Sequence, residues 1–183
     1  MELLKTNSNQ KILKSFIVIF IGSLALTLSA KLKIPFYPVP MTMQTFVVLF
    51  LGIAFGYKIG LTTVSVYLIE GIIGIPVFSN SPEKGVGLVY FTGPTMGYLI
   101  GFLSAVFLAG YLNFKSNIFL IFIKLILTVS TVYITGILWL GSLIGWEKPI
   151  FQLGVTPFLL AELFKICILT ILTKKIIKIK KFI

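Results

Sequence analysis

The sequence predicts an all-α integral membrane protein of six transmembrane helices, and three observations predict it. Hydrophobic residues make up 57% of the 183 positions, and mean hydropathy is +1.06. Charged residues are only 11%, about half the share of a soluble domain. The third observation is the order of the chain: six uncharged or nearly uncharged runs alternate with short polar or proline-bearing stretches. No composition shift divides the runs, so residues 1–183 are expected to form one membrane domain.

The first element is a polar segment, residues 1–14, that carries Lys5, Lys11 and Lys14. Residues 15–30 follow as the first apolar run, close to the roughly 20 residues that a spanning helix needs. No small-residue cleavage site follows it, so a removable leader is not expected. Gly22, Ala25 and Ser29 lie in this run, and the spacing of Ala25 and Ser29 places both on one helix face. Such a small-xxx-small face lets another helix approach closely. From spacing alone the neighbour is another helix of the same chain.

Residues 34–46 read I-P-F-Y-P-V-P-M-T-M-Q-T-F. Proline fixes φ, lacks an amide donor and pushes the preceding residue toward extended geometry, so Pro35, Pro38 and Pro40 exclude a helix. The stretch is predicted to be a stiff connector. It carries Tyr37, Thr42, Gln44 and Thr45, which makes it either a lid over a ligand or a plain surface turn.

The second run covers residues 43–57 and stops at Gly56-Tyr57-Lys58; the third covers 60–78, holds Glu70, and is loosened by Gly71, Gly74 and Pro76. A polar loop spans 79–84. The fourth run, 85–112, is broken by Thr92-Gly93-Pro94-Thr95, and backbone groups freed by such a break inside a membrane need partners in protein or a cavity. Beyond the break, Gly97, Gly101, Ala105 and Ala109 make one smooth face. The fifth run, 118–144, contains Lys124, expected to snorkel to the headgroups. Residues 145–154 read as a loop. Thr156-Pro157 then opens the sixth run as N-cap and first helical residue, and that run ends in Lys174, Lys175, Lys178, Lys180 and Lys181.

All sixteen basic residues are lysines, and the net charge is +11. They gather at the two ends rather than on a soluble face, so they mark membrane topology and not a nucleic-acid surface. Six spans put both termini on one side. The terminal lysines, with Lys58 and Lys115, make that side cytoplasmic, including residues 1–14 and the basic tail 174–183. Lys31, Lys33, Lys84 and Lys148 fall outside and spoil the bias.

The chain has no histidine, and inspection shows no aspartate. No nucleophile–base set and no cofactor or metal site is therefore expected, and Cys167 stands alone. An enzyme survives only as an intramembrane hydrolase or transferase. The chemistry-bearing pair is Glu162 and Lys165, three apart on one helix face. A charge at mid-bilayer costs roughly 2.5–3.5 kcal/mol and needs an interior partner. The two form either a structural ion pair or a polar anchor in a cavity.

Three segments together resemble the BioY family, the biotin-specific S components of energy-coupling-factor transporters. They are A-K-L-K-I-P-F-Y-P-V-P-M-T-M-Q-T-F at 30–46, Y-L-I-E-G-I-I-G-I-P-V-F-S-N at 67–80 with G-P-T-M-G-Y-L-I-G-F at 93–102, and G-V-T-P-F-L-L-A-E-L-F-K at 154–165. The resemblance implies an S-component fold of six helices in a bacterial cytoplasmic membrane. It implies biotin capture from outside, and a separate transmembrane coupling subunit with paired ATPases as partners. Another vitamin is the alternative substrate. Thr42, Gln44, Thr45, Asn80, Tyr98, Glu162 and Lys165 match the family's motif positions and are the expected ligand-binding residues. Glu162 stands where the family usually has aspartate. Glu162 is expected to accept from the ureido N–H groups and Asn80 to donate to the ureido carbonyl, with Phe36, Tyr37, Tyr90, Phe91 or Tyr98 against the bicyclic core. Lys165 either pairs with the biotin carboxylate or supports Glu162. The resemblance also turns Gly22, Ala25 and Ser29 into an expected docking face for the coupling subunit.

Overall fold

A computed structural model describes residues 2–182 except Phe36, and describes side chains from Asn9 to Ile179 with the same exception. The elements run α1 (Glu2–Lys31), β1 (Lys33–Ile34), β2 (Met41–Thr42), α2 (Gln44–Ile72), α3 (Leu88–Phe91), α4 (Met96–Tyr111), α5 (Ile118–Ile144), α6 (Ile150–Gly154), a 3-10 turn (Thr156–Phe158), α7 (Leu159–Ile176) and a final 3-10 segment (Ile177–Phe182). Among the described residues, four helical stretches are long and apolar enough to cross a membrane, and α4 is a shorter apolar helix. The protein is an all-α membrane protein.

The second and third apolar runs form one continuous assignment, α2, but not one rod. Gly56 sits inside it at φ 82° and ψ 170°, a conformation that costs glycine nothing and other residues a great deal. The chain reverses there. Gln44 Nε2 reaches Tyr67 Oη at 2.7 Å, whereas 23 residues of straight helix would separate them by about 35 Å. The two arms, 44–55 and 57–72, are therefore antiparallel helices. Counted separately, they bring the apolar helices of the bundle to six: α1, two arms of α2, α4, α5 and α7.

Small residues set the close approaches. A Cβ added to Gly52 would lie 2.6 Å from the Ala109 Cβ, and one added to Gly101 would lie 2.7 Å from the Val132 Cα. The smooth face expected on α4 is thus shared between two neighbours. Gly97 and Gly101 meet α5, and Ala109 meets α2. The break before α4 finds the partner it requires, because Trp139 Nε1 of α5 donates to the Gly93 carbonyl at 2.9 Å.

Four boundaries differ from the sequence expectation. The connector expected over residues 34–46 ends at Met43, because Gln44, Thr45 and Phe46 already form the first turn of α2. The third helix ends at Ile72, and Phe78 lies beyond it with its ring against Gly71. Residues 150–154 are helical rather than loop, and α7 starts at Leu159 after a 3-10 turn. Thr156 is consequently no N-cap; its Oγ1 donates back to the Phe151 carbonyl at 3.3 Å. Lys124 reaches into the α4–α5 connection, with its Nζ on the Asn113 carbonyl at 2.5 Å and on Ser116 Oγ at 3.0 Å.

The α1 residues expected to meet a partner are mostly occupied inside the fold. A Cβ on Gly22 would lie 2.6 Å from Thr63 Cγ2. Ser29 is 4% exposed, with its hydroxyl on the Leu26 carbonyl and its own carbonyl accepting from the Met43 N–H. Intrachain packing, the reading that spacing alone supports, accounts for both. Ala25 keeps partial exposure. Glu70, the charge inside the third run, accepts a hydrogen bond from Ser23 and ties α1 to the second arm of α2.

Candidate functional site

The proline stretch folds as a small antiparallel hairpin, with Lys33 opposite Thr42 and Ile34 opposite Met41. It lies beside the loop that follows α2. Lys31 Nζ donates to the Phe78 and Ser81 carbonyls at 2.8 and 2.7 Å. Lys33 Nζ donates to the Ser79 carbonyl at 2.7 Å and to Asn80 Oδ1 at 3.0 Å. Lys84 lies 5.8 Å from the centre of the Tyr37 ring. Three of the four lysines that spoil the charge bias are therefore spent on joining these two loops by charge-assisted bonds and a cation–π contact.

Beneath them lies a cavity of about 60 Å³, part of it open to the outside. Its walls come from the hairpin (Val39, Pro40, Met41, Thr42), the first turn of α2 (Gln44, Thr45), Ser79, Tyr90, α4 (Thr95, Tyr98, Leu99, Phe102), α5 (Val132, Tyr133), Phe158, and Glu162 and Lys165 of α7. The lining is mostly apolar and aromatic, with a few polar groups converging on one wall.

That wall is built around the ion pair. Glu162 and Lys165 are each 4% exposed, and Lys165 Nζ lies 2.8 Å from Glu162 Oε2. The ammonium also donates to Thr45 Oγ1 at 2.7 Å and to the Thr42 carbonyl at 3.1 Å. Its three N–H groups thus meet three acceptors. Glu162 Oε2 accepts in addition from Thr45 Oγ1 and from Tyr133 Oη, both at 3.1 Å. Glu162 Oε1 is buried and has no hydrogen-bond partner among the described residues. A buried carboxylate oxygen without a donor is costly, and here it belongs to a residue that lines a cavity.

Six of the seven expected ligand residues, Thr42, Gln44, Thr45, Tyr98, Glu162 and Lys165, line this one cavity. Two of them turn their polar ends into the wall. Gln44 donates to Tyr67 Oη and accepts from Thr42 Oγ1 at 3.2 Å. Tyr98 Oη donates to the Gly154 carbonyl at 2.8 Å, which leaves its ring as the cavity surface. Asn80 does not line the cavity, because its side-chain oxygen is held by Lys33. Ser79, one residue earlier, is in the wall, with its Oγ 3.3 Å from Tyr90 Oη.

Among the expected aromatic contacts, Tyr90 and Tyr98 line the cavity. Tyr37 is 84% exposed and Phe91 packs on Phe78 instead; Phe36 lies outside the described residues. Tyr133, Ser79, Thr95 and Phe158 are wall residues that sequence reasoning missed. Tyr133 carried a usable signal: it stands in T-V-S-T-V-Y-I-T, the most polar stretch of an otherwise apolar helix.

The BioY family profile matches residues 4–182. The chain belongs to the BioY family. A probable biotin transporter BioY of Pyrococcus horikoshii is 32% identical over 163 residues, covering 88% of this chain and 94% of that protein. The biotin transporter BioY of Thermotoga maritima is 30% identical, covering 85% of this chain and 90% of its own. A solved structure of the S-component for biotin from an ECF-type ABC transporter superposes with a TM-score of 0.77 at 25% identity, covering 93% of each chain. The BioY match spans both the hairpin and α7, so it includes every residue of the polar wall.

Proposed function

We infer that this chain is the biotin-binding substrate-specificity subunit of an ECF-type uptake transporter, and not an enzyme. One observation carries the reading at the level of chemistry: the unpartnered, buried Glu162 Oε1 at a largely apolar cavity. The biotin ureido group offers two N–H donors to such an acceptor. Ser79 and Tyr90 supply the opposite polarity. One proton serves the bond between their hydroxyls, and the other is there to donate to the ureido carbonyl, the role first expected of Asn80. The rings of Tyr90 and Tyr98 and the side chains of Leu99 and Phe102 give the bicyclic core an apolar seat.

Lys165 serves Glu162 rather than the ligand, since its three protons are already engaged. The hairpin and the 79–84 loop form the outer cover, and biotin enters between them. The whole chain acts as one membrane domain with both termini in the cytoplasm, a placement supported by the lysines at the two ends. Purified protein is expected to give saturable heat with biotin in calorimetry and none with thiamine or riboflavin. Saturable heat with another vitamin and none with biotin would reject the assignment.

As an S component it works with a transmembrane coupling subunit and paired ATPases. We place the coupling contact on the exposed side of α1 around Ala25, where Ile21, Leu24 and Leu28 are all more than half exposed. Ala25→Trp is expected to spare biotin binding and to abolish uptake by the assembled transporter. Normal uptake in that variant would move the contact elsewhere.

A further inference from the structure

The group of donors around Glu162 contains one that no motif supplied. Tyr133 comes from α5, whereas the other groups around the Glu162 carboxylate come from α2 and α7. Its hydroxyl donates to Oε2, the oxygen already engaged by Lys165 and Thr45. No described donor reaches Oε1. A carboxylate has two equivalent oxygens, and a free one turns readily about its last torsion, which is broad and two-fold. Three donors from three helices remove that freedom. All of them hold one oxygen, and the other is left for the ligand.

We propose that Tyr133 is a positioning residue that fixes the Glu162 carboxylate with Oε1 as an open acceptor, and so makes the site selective for ligands presenting N–H donors. The proposal rests on the reading that the cavity binds a ureido group. Its geometry is independent of any ligand: the Tyr133 ring is held edge-on by Tyr98 at 6.2 Å between centroids, and Tyr98 is itself anchored to Gly154. The ring also packs against both hydrophobic cores of the bundle, and this packing aims the hydroxyl. The ring lines the cavity as well, so the hydroxyl's contribution must be separated from that of the ring.

Tyr133→Phe makes the separation, because it keeps the ring and removes the donor. Biotin affinity of the purified protein is expected to fall about tenfold, the lower range for a hydrogen bond to a charged group. The melting temperature in detergent should change little. A double-mutant cycle with Glu162→Gln supplies the readout that a merely structural role would not move. If Tyr133 acts through the carboxylate, the double variant binds biotin no more weakly than Glu162→Gln alone. A second variant, 3-fluorotyrosine at position 133, keeps ring and hydroxyl and makes the hydroxyl a stronger donor; equal or tighter binding is expected. Wild-type affinity in Tyr133→Phe, a tenfold loss repeated in full on the Glu162→Gln background, or weaker binding with fluorotyrosine would each overturn the positioning role. Failure of the wild-type protein to bind biotin would instead overturn the ureido reading beneath it.

Discussion

Glu162→Gln is expected to weaken biotin binding by roughly ten- to several-hundredfold per folded molecule. In the wild type, Oε1 accepts and has no donor of its own. Glutamine halves the acceptor set and adds an NH₂ group. With the amide oxygen retained by Lys165, Thr45 and Tyr133, the NH₂ takes the place of Oε1 and faces the ureido N–H groups. Two buried donors then oppose each other, which costs about 1–3 kcal/mol and more where a charge was involved. With the amide reversed, the NH₂ faces three donors in the wall, which is no better. Affinity measured by titration, with a melting curve as control, tests this. Wild-type affinity in Glu162→Gln would end the ureido assignment.

Lys165→Met is expected to act mainly on stability. The ammonium is the main cation facing Glu162 and also bonds Thr45 and the Thr42 carbonyl. Its removal leaves a buried carboxylate without its counter-ion and a hairpin carbonyl without its donor. Breaking a buried pair from one side costs about 3–5 kcal/mol, so a large fall in melting temperature is expected. The affinity of the protein that remains folded should fall less than in Glu162→Gln, because Oε1 is still an acceptor. Combining the two changes should recover part of the lost stability, since the uncompensated charge is then gone. A purely structural ion pair behaves differently: both single changes would lower the melting temperature and neither would alter affinity per folded molecule. A larger affinity loss in Lys165→Met than in Glu162→Gln would move the principal polar anchor to the lysine.

The two variants differ because donors are distributed unevenly around one carboxylate, and that distribution is a property of three helices together. Thr45 lies 117 positions from Glu162, and Tyr133 lies 29 positions from it. No local spacing rule relates residues at those separations. The pair itself is different. Glu162 and Lys165 are three apart, so helix geometry alone puts them on one face.

The membrane class, the six apolar runs, the absence of helix at the three prolines and the identity of the ion pair were legible in the residues alone. Each of these depends on composition or on short-range backbone preference. Proline and glycine act locally, and a charge inside an apolar run stands out wherever the run is placed. Which apolar surface faces which neighbour could be read only from the packed helices. Gly22 and Ser29 are packed inside the fold although the family resemblance implied an outer face, and Ser79 rather than Asn80 reaches the cavity. The physical reason lies in the solvent. Lipid tails are as apolar as a protein interior, so a membrane helix carries no polar stripe to tell inside from outside. Only the packing of one helix against another makes that choice.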